Sequence, residues 1–131
     1  MDKLEYIQGD LVTNKYYTKV LIVIKTVKNM VYTRNRDAFS ETYLSHKDDV
    51  VPMLLTPEIL EKNGWRTQNR WYYYLDVAEG FISYIGIDFK HKSNKGHLYV
   101  EVDGNNMVEI QYCHELQHFL FGLGINHEME V

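Results

Sequence analysis

The chain is short of cysteine, of long apolar runs and of positive charge, and each shortage excludes a class of protein. One cysteine in 131 residues rules out an internal disulfide, so we expect the reducing cytoplasm. Lys and Arg number 14 against 18 Asp and Glu, and the net charge of −4 predicts no general nucleic-acid binding while leaving room for a local basic patch. The longest apolar run, residues 20–24, is too short to span a membrane, and no apolar segment follows Met1, which predicts no signal peptide.

The residue in excess is tyrosine. Eleven tyrosines and only two prolines predict a sheet-rich protein that carries amphipathic rings on its surfaces. The length fits a single domain over residues 1–131, and the break near residue 52 is the one candidate for a subdomain boundary.

The first third of the chain is predicted to be a small β unit, with an SH3-like unit as the candidate. Short β-branched or alternating segments are separated by polar turns, and the continuous run at residues 20–24 is typical of a buried strand. The segments are residues 4–12 with a turn at 8–10, residues 20–24, 30–33 and 39–44, and Val50 with Val51.

A short helix is predicted after this unit. Thr56 is suited to the N-cap and Pro57 to the first helical position. Leu55 and Leu60 have the spacing of a hydrophobic staple, and Gly64 ends the helix. At about two turns the helix needs a packing partner.

The next segment is predicted to be an antiparallel meander, and the C-terminal helix is expected to lie across its sheet. The fold class is therefore α+β. The predicted strands are residues 70–75, 81–89, 97–102 and 107–110, with a turn at 76–80, a loop at 90–96 and a hairpin turn at 103–106. One face of the second of these strands is predicted to hold Phe81, Ser83, Ile85, Ile87 and Phe89.

The C-terminal helix is amphipathic and contains the spacing His-Glu-x-x-His. Its apolar arc comprises Tyr112, Cys113, Leu116, Phe119, Leu120 and Leu123. His114 and His118 fall on the opposite side, so we expect both imidazoles to face water. Cys113, on the apolar arc, is predicted to be a buried small hydrophobe and not a nucleophile.

The motif has a functional alternative, a zinc-dependent hydrolase. His114 and His118 would share a zinc ion, and Glu115 would activate a metal-bound water. A third ligand would have to come from His127, Glu128 or an upstream residue. The positions that an extended zinc-protease pattern fills with Gly and His hold Phe121 and Gly124, so that pattern fails, and we favour a coincidental motif with neither a catalytic residue nor a metal.

Two segments, residues 54–65 (LLTPEILEKNGW) and 108–119 (VEIQYCHELQHF), resemble a family of small uncharacterised proteins encoded by phages, prophages and mobile elements of gut anaerobic bacteria. Members of that family often read P-L-T-x-E-I-L-x-K-x-G-F and Y-V-H-x-L-Q-N-L-Y there. The resemblance covers about half of the chain and implies no catalytic activity.

The resemblance bears on the zinc alternative, because His118 stands where the family pattern has asparagine and Glu115 where it often has glutamine. A helix that usually lacks the second ligand is poorly explained as a zinc helix. His114 and Gln117 match the pattern, which implies a shared structural or ligand-binding role. Hydrogen bonding of His114 to a neighbouring strand is the simpler alternative.

The meander supplies a candidate binding surface. Tyr72, Tyr74, Tyr84 and Tyr99 are predicted to share the sheet face opposite the helix, with Arg70 at the rim. Such a face can stack a nucleobase or form a protein contact.

We therefore expect a non-enzymatic phage or prophage protein in the host bacterial cytoplasm. It would bind a host protein or sequester a small nucleotide-like ligand, as counter-defence proteins do. The alternatives are the zinc hydrolase and a structural subunit whose tyrosines form a homo-oligomer contact.

Overall fold

The chain divides into two compact units, and the first boundary between them along the chain lies between Met53 and Leu54. The computed structural model describes residues 6–131, apart from the side chains of Ala78 and Glu79. The start of the strand predicted at residues 4–12 and the segment after Met1 lie outside the described residues. Unit 1 comprises residues 6–53 with Tyr112–Glu128, and unit 2 comprises Leu54–Gln111 with Met129–Val131. The sequence predicted one domain with a break near residue 52.

Unit 1 is a five-stranded antiparallel sheet with one helix. The elements are β1 (Leu11–Asn14), β2 (Val20–Val27), β3 (Met30–Asn35), β4 (Ala38–His46), a 3-10 turn (Lys47–Asp49), β5 (Val50–Pro52) and α2 (Cys113–Gly122). The strand order is β4-β3-β2-β1-β5. Strands β1 to β4 form a meander, and after the 3-10 turn β5 pairs antiparallel with β1.

The core of unit 1 lies on one face of this sheet. Its members are mostly β-branched residues that alternate along the strands, as period-two patterning requires: Tyr6, Val12, Leu21, Val23, Val31 and Val50, with Tyr43 packed against them. The continuous apolar run of β2 continues as a strand to Val27, three residues beyond the predicted end.

Unit 2 is a second antiparallel meander with a short helix. The elements are α1 (Pro57–Lys62), β6 (Arg66–Asn69), β7 (Tyr72–Glu79), β8 (Ile82–Asp88), β9 (Leu98–Val102) and β10 (Asn105–Ile110), in the spatial order β10-β9-β8-β7-β6. Thr56 caps α1 by accepting the Ile59 amide at 3.3 Å. The Tyr73 hydroxyl donates to Glu61 at 2.6 Å and thereby ties α1 to β7.

The α+β class and the C-terminal helix are confirmed, but the position of that helix differs from the prediction. The sequence placed it on the meander, whereas α2 belongs to unit 1 and contacts β1. Polar contacts explain this position, because Gln117 hydrogen-bonds the backbone of Gly9 and Leu11. A search for apolar stripes does not detect such contacts.

The strand limits in unit 2 also correct two predictions. β7 extends to Glu79 and takes up most of the predicted turn at residues 76–80. Phe81, predicted to share one strand face with Ile85 and Ile87, lies in the turn with its side chain fully exposed. Ile85 and Ile87 are both fully buried. The hairpin turn between β9 and β10 forms at Asp103 and Gly104, which both have positive φ, at 51° and 88°.

Candidate functional site

The first candidate site is the polar side of α2, where the structure corrects the expectation that both imidazoles face water. His114 is 1% exposed. Its ring packs against those of Tyr6, Tyr112 and His118, at centroid distances of 5.1, 6.0 and 5.6 Å. With Asp10 these four residues form what we call the histidine cluster. The helix is thus buried on a polar side as well as on its apolar side.

His118 is held by a buried carboxylate. Its Nε2 lies 2.7 Å from Asp10 Oδ2, and Asp10 is completely buried. The same oxygen accepts the Ile7 amide at 2.8 Å. The hydrogen bond that His118 makes to Asp10 raises the pKa of His118 above its ordinary value in spite of partial burial. The geometry therefore favours a protonated imidazole paired with a carboxylate.

His114 has the opposite electrostatic character. Burial lowers the pKa of His114, so the neutral ring is favoured. Among the described residues no group hydrogen-bonds either of its ring nitrogens, and the same holds for Asp10 Oδ1. The simpler alternative, in which His114 hydrogen-bonds a strand, is therefore not realised within the described residues. An imidazole with two unsatisfied nitrogens is costly to bury, on the order of 1–3 kcal/mol for each group.

Glu115 has a structural task at the start of the helix. Its Oε1 accepts the Tyr112 amide at 2.9 Å, as in a capping box, and the carboxylate lies in the first turn, where the helix dipole favours it. Among the side chains that the structure describes, no three from His, Cys, Asp or Glu form a group that could hold a metal ion. The upstream residue that meets the motif is Asp10, which the sequence did not single out.

Gln117 is committed to the backbone. It is completely buried, accepts the Leu11 amide at 3.0 Å, and donates to the carbonyls of Gly9 and His127 at 2.9 and 3.1 Å. These bonds use its amide as a clamp between α2, β1 and the following tail.

Cys113 is buried at the start of α2, and burial raises the pKa of its thiol to about 12. The thiol is therefore protonated near neutrality, as suits a small buried hydrophobe.

The second candidate site is the exposed face of the unit 2 sheet. The strand registers pair Tyr72 with Asp88, Asp88 with Tyr99 and Tyr99 with Glu109. The next rows pair Tyr74 with Gly86 and Gly86 with Glu101, and Asp76 with Tyr84. Because residues directly opposite each other share a face, all four predicted tyrosines lie on one side. We call this surface, comprising Tyr72, Tyr74, Tyr84, Tyr99, Asp88, Glu101 and Glu109, the tyrosine–carboxylate face.

Tyr72 lies across the middle of this face. Its hydroxyl contacts Glu101 at 3.1 Å, and a Cβ on Gly86 would stand 2.1 Å from the same hydroxyl. Burial and the neighbouring carboxylate raise the pKa of Tyr72 above its ordinary value. Gly86 therefore leaves the space that the phenol occupies.

The face carries more negative than positive charge. Asp88 meets His91 at 2.8 Å; burial acts to raise the pKa of Asp88, but hydrogen bonds from His91 and from backbone amides lower it below its ordinary value. Glu109 lies 3.8 Å from His97, and Glu101 faces Tyr72. Among the side chains that the structure describes, none of these three carboxylates pairs with a lysine or an arginine.

Two arginines lie near the rim. Arg66 contacts Asp76 at 3.4 Å and its guanidinium lies over the Tyr74 ring, 5.7 Å from the centroid. Arg70, the predicted rim residue, is exposed in the turn between β6 and β7. The structure thus places the four tyrosines together in unit 2 and both His114 and Gln117 in unit 1, so the predicted site residues form two separate groups.

Comparison with known proteins adds no family. The chain matches no protein-family model, no curated protein and no solved structure. Among residues 6–131, neither helix is long and apolar enough to cross a membrane.

Proposed function

We propose that the protein is a non-enzymatic accessory protein of phage or prophage origin that binds a basic segment of a host protein in the bacterial cytoplasm. The observation that carries the proposal is the alignment of four tyrosines with three carboxylates on one sheet face. The phage origin rests on the resemblance of residues 54–65 and 108–119.

The charge of the face favours a protein partner over a nucleotide-like ligand. A nucleotide would bring its phosphates against Asp88, Glu101 and Glu109, and like charges at such distances repel. Arg66, whose guanidinium lies over the Tyr74 ring, already contacts Asp76. The rings alone could stack a base, but the surrounding carboxylates oppose the phosphate.

Both the charged head and the aliphatic stem of a lysine or arginine side chain are complementary to this face. Their charged heads can pair with the carboxylates and lie over the tyrosine rings, while their aliphatic stems pack on the flat aromatic surface. Tyrosine is also enriched at the centres of protein interfaces, where it contributes large contact area at low entropic cost.

A second copy of the chain fits the same face poorly. A two-fold contact would bring each carboxylate row against its own copy, which is repulsive. Light scattering tests this point, because the proposed mode of binding requires the face to be free in solution. An oligomer that dissociates on Tyr99→Ala would instead support the structural-subunit alternative.

The motif on α2 also supports a non-enzymatic protein. A general base must reach a bound water or substrate, whereas Glu115 accepts the Tyr112 amide. His114 is buried among aromatic rings, where a substrate has no access.

The test is calorimetric titration with oligolysine, with oligoglutamate of equal length, and with linear and cyclic nucleotides. We expect oligolysine alone to bind, and binding to weaken as salt is added. Tyr99→Ala should weaken it roughly tenfold, since truncated interface tyrosines commonly cost more than about 1 kcal/mol. Glu109→Gln should also weaken it.

The matched controls are Tyr16→Ala and Glu128→Gln, which remove an exposed tyrosine and an exposed carboxylate from unit 1 and should leave binding unchanged. Equal binding of the two peptides would refute the proposal. Nucleotide binding that is lost in Tyr99→Ala would restore the nucleotide-sequestering function.

A further inference from the structure

A second exposed surface, on the sheet of unit 1, has the opposite charge. It is the side of β2, β3 and β4 that faces away from the Val23 and Val31 core. The registers pair Lys25 with Tyr32 and Tyr32 with Leu44, and in the adjoining row Ile22 with Arg34 and Arg34 with Thr42. We call this surface the basic aromatic face, comprising Lys25, Tyr32, Arg34, Phe39 and Leu44.

Its aromatic residues are available for stacking. Phe39 is 76% exposed, and the Arg34 guanidinium carbon lies 4.0 Å from the centroid of its ring. Tyr32 is half-buried beside Leu44, which is 64% exposed. A ring and a planar cation in contact present a flat platform on which a further π-system can stack.

Neither Lys25 nor Arg34 forms an ion pair with any side chain that the structure describes. The acids of β4 and of the turn before it have other partners, because Glu41 accepts from Tyr43 and Asn35, and Asp37 pairs with Arg36 at 3.0 Å. The face is therefore positive although the whole chain has a net charge of −4.

We infer that the basic aromatic face binds single-stranded nucleic acid. Its charge complements phosphate, and its exposed rings can stack bases without reading their sequence. The rows cross three adjacent strands of a sheet, a surface that suits an extended strand better than a mononucleotide, which needs a concave pocket. The inference departs from the expectation based on net charge, because the positive charge is local to one face.

Fluorescence anisotropy with a labelled oligothymidylate tests the inference. We expect binding that Phe39→Ala weakens roughly fivefold or more, the loss typical of removing one stacking ring. Lys25→Gln and Arg34→Gln should each lower the slope of log K against log salt by about 0.7, the value for one phosphate contact on a single strand. All three positions are on the surface, and far-UV circular dichroism verifies that each variant folds.

Phe81→Ala and Lys92→Gln are the matched controls, since both residues are exposed in unit 2. They should bind the oligonucleotide like the unmodified protein. Thymidine monophosphate in an anisotropy competition should displace the strand only weakly.

Three results would overturn the inference: no binding of the oligonucleotide, equal loss in Phe81→Ala and Phe39→Ala, or competition by the monophosphate as strong as by the unlabelled strand. A loss caused by Tyr99→Ala with Phe39→Ala unaffected would move the strand to the other sheet and overturn the inference as well. Oligolysine binding addresses the proposed function alone, so the two ideas can fail independently.

Discussion

Replacing Gln117 by methionine should destabilise unit 1 more than any exposed substitution. The change keeps an unbranched side chain of similar length, so it isolates the amide from the packing. The amide makes three hydrogen bonds within the unit, with Leu11, Gly9 and His127 as partners. Methionine can make none of them.

The magnitude follows from what is left unpaired. The Leu11 amide belongs to a residue that is 1% exposed, so it loses its acceptor where water has little access. An orphaned buried donor costs about 1–3 kcal/mol, and each carbonyl that loses a donor adds up to about 1 kcal/mol. We expect a loss of roughly 2–4 kcal/mol, a large share of the stability of a small domain.

The assay has to report on unit 1. Both tryptophans, Trp65 and Trp71, lie in unit 2, so tryptophan fluorescence follows the other unit. Amide hydrogen exchange at Leu11 reads the broken bond directly, and urea unfolding followed by far-UV circular dichroism gives the free energy. Gln68→Met on exposed β6 is the matched control. Unchanged protection of the Leu11 amide in Gln117→Met would refute the clamp.

Two further predictions concern the histidine cluster and the tyrosine–carboxylate face. Asp10 raises the pKa of His118, so the stability that this pair contributes is complete below the ordinary histidine pKa and is lost as the pH rises through the folded pKa. Burial lowers the pKa of His114, so this residue costs stability as the pH falls below the ordinary histidine pKa. Urea unfolding midpoints measured between about pH 5 and about pH 9 should therefore peak near the ordinary histidine pKa, with the alkaline fall absent in His118→Asn and the acid fall reduced in His114→Phe. Gly86→Ala should cost about 1–3 kcal/mol in urea unfolding and weaken oligolysine binding, because its methyl group displaces the Tyr72 phenol, and an unshifted unfolding midpoint would contradict the close approach.

The sequence predicted the common face of the tyrosines because that prediction depends on local rules. Side chains alternate with period two, and the Asp103–Gly104 turn fixes where β9 and β10 pair. The capped helix at Thr56 was predictable for the same reason. β6 was missed because all four of its residues are polar or charged and exposed, so it has no hydrophobic pattern to detect.

The burial of His114 was beyond the reach of the same rules. A helical projection sorts residues by polarity and assigns histidine to the solvent-facing side of the helix. That assignment is correct only if no polar partner lies elsewhere in the chain. Here the partner of the neighbouring His118 is Asp10, 108 residues away. The only sequence signal near Asp10 was the predicted turn at residues 8–10, and a turn does not show which carboxylate is buried.

The motif on α2 shows how a pattern associated with chemistry can be maintained by packing. Glu115 caps the helix, His118 neutralises a buried carboxylate, and the neighbouring Gln117 holds the first strand. Each of these roles restricts the residue type, because it requires particular hydrogen-bond donors and acceptors. None of them requires the three side chains to converge on one point, as a metal site would. Neither asparagine nor histidine could replace the paired donor and acceptor of Gln117 at the same reach.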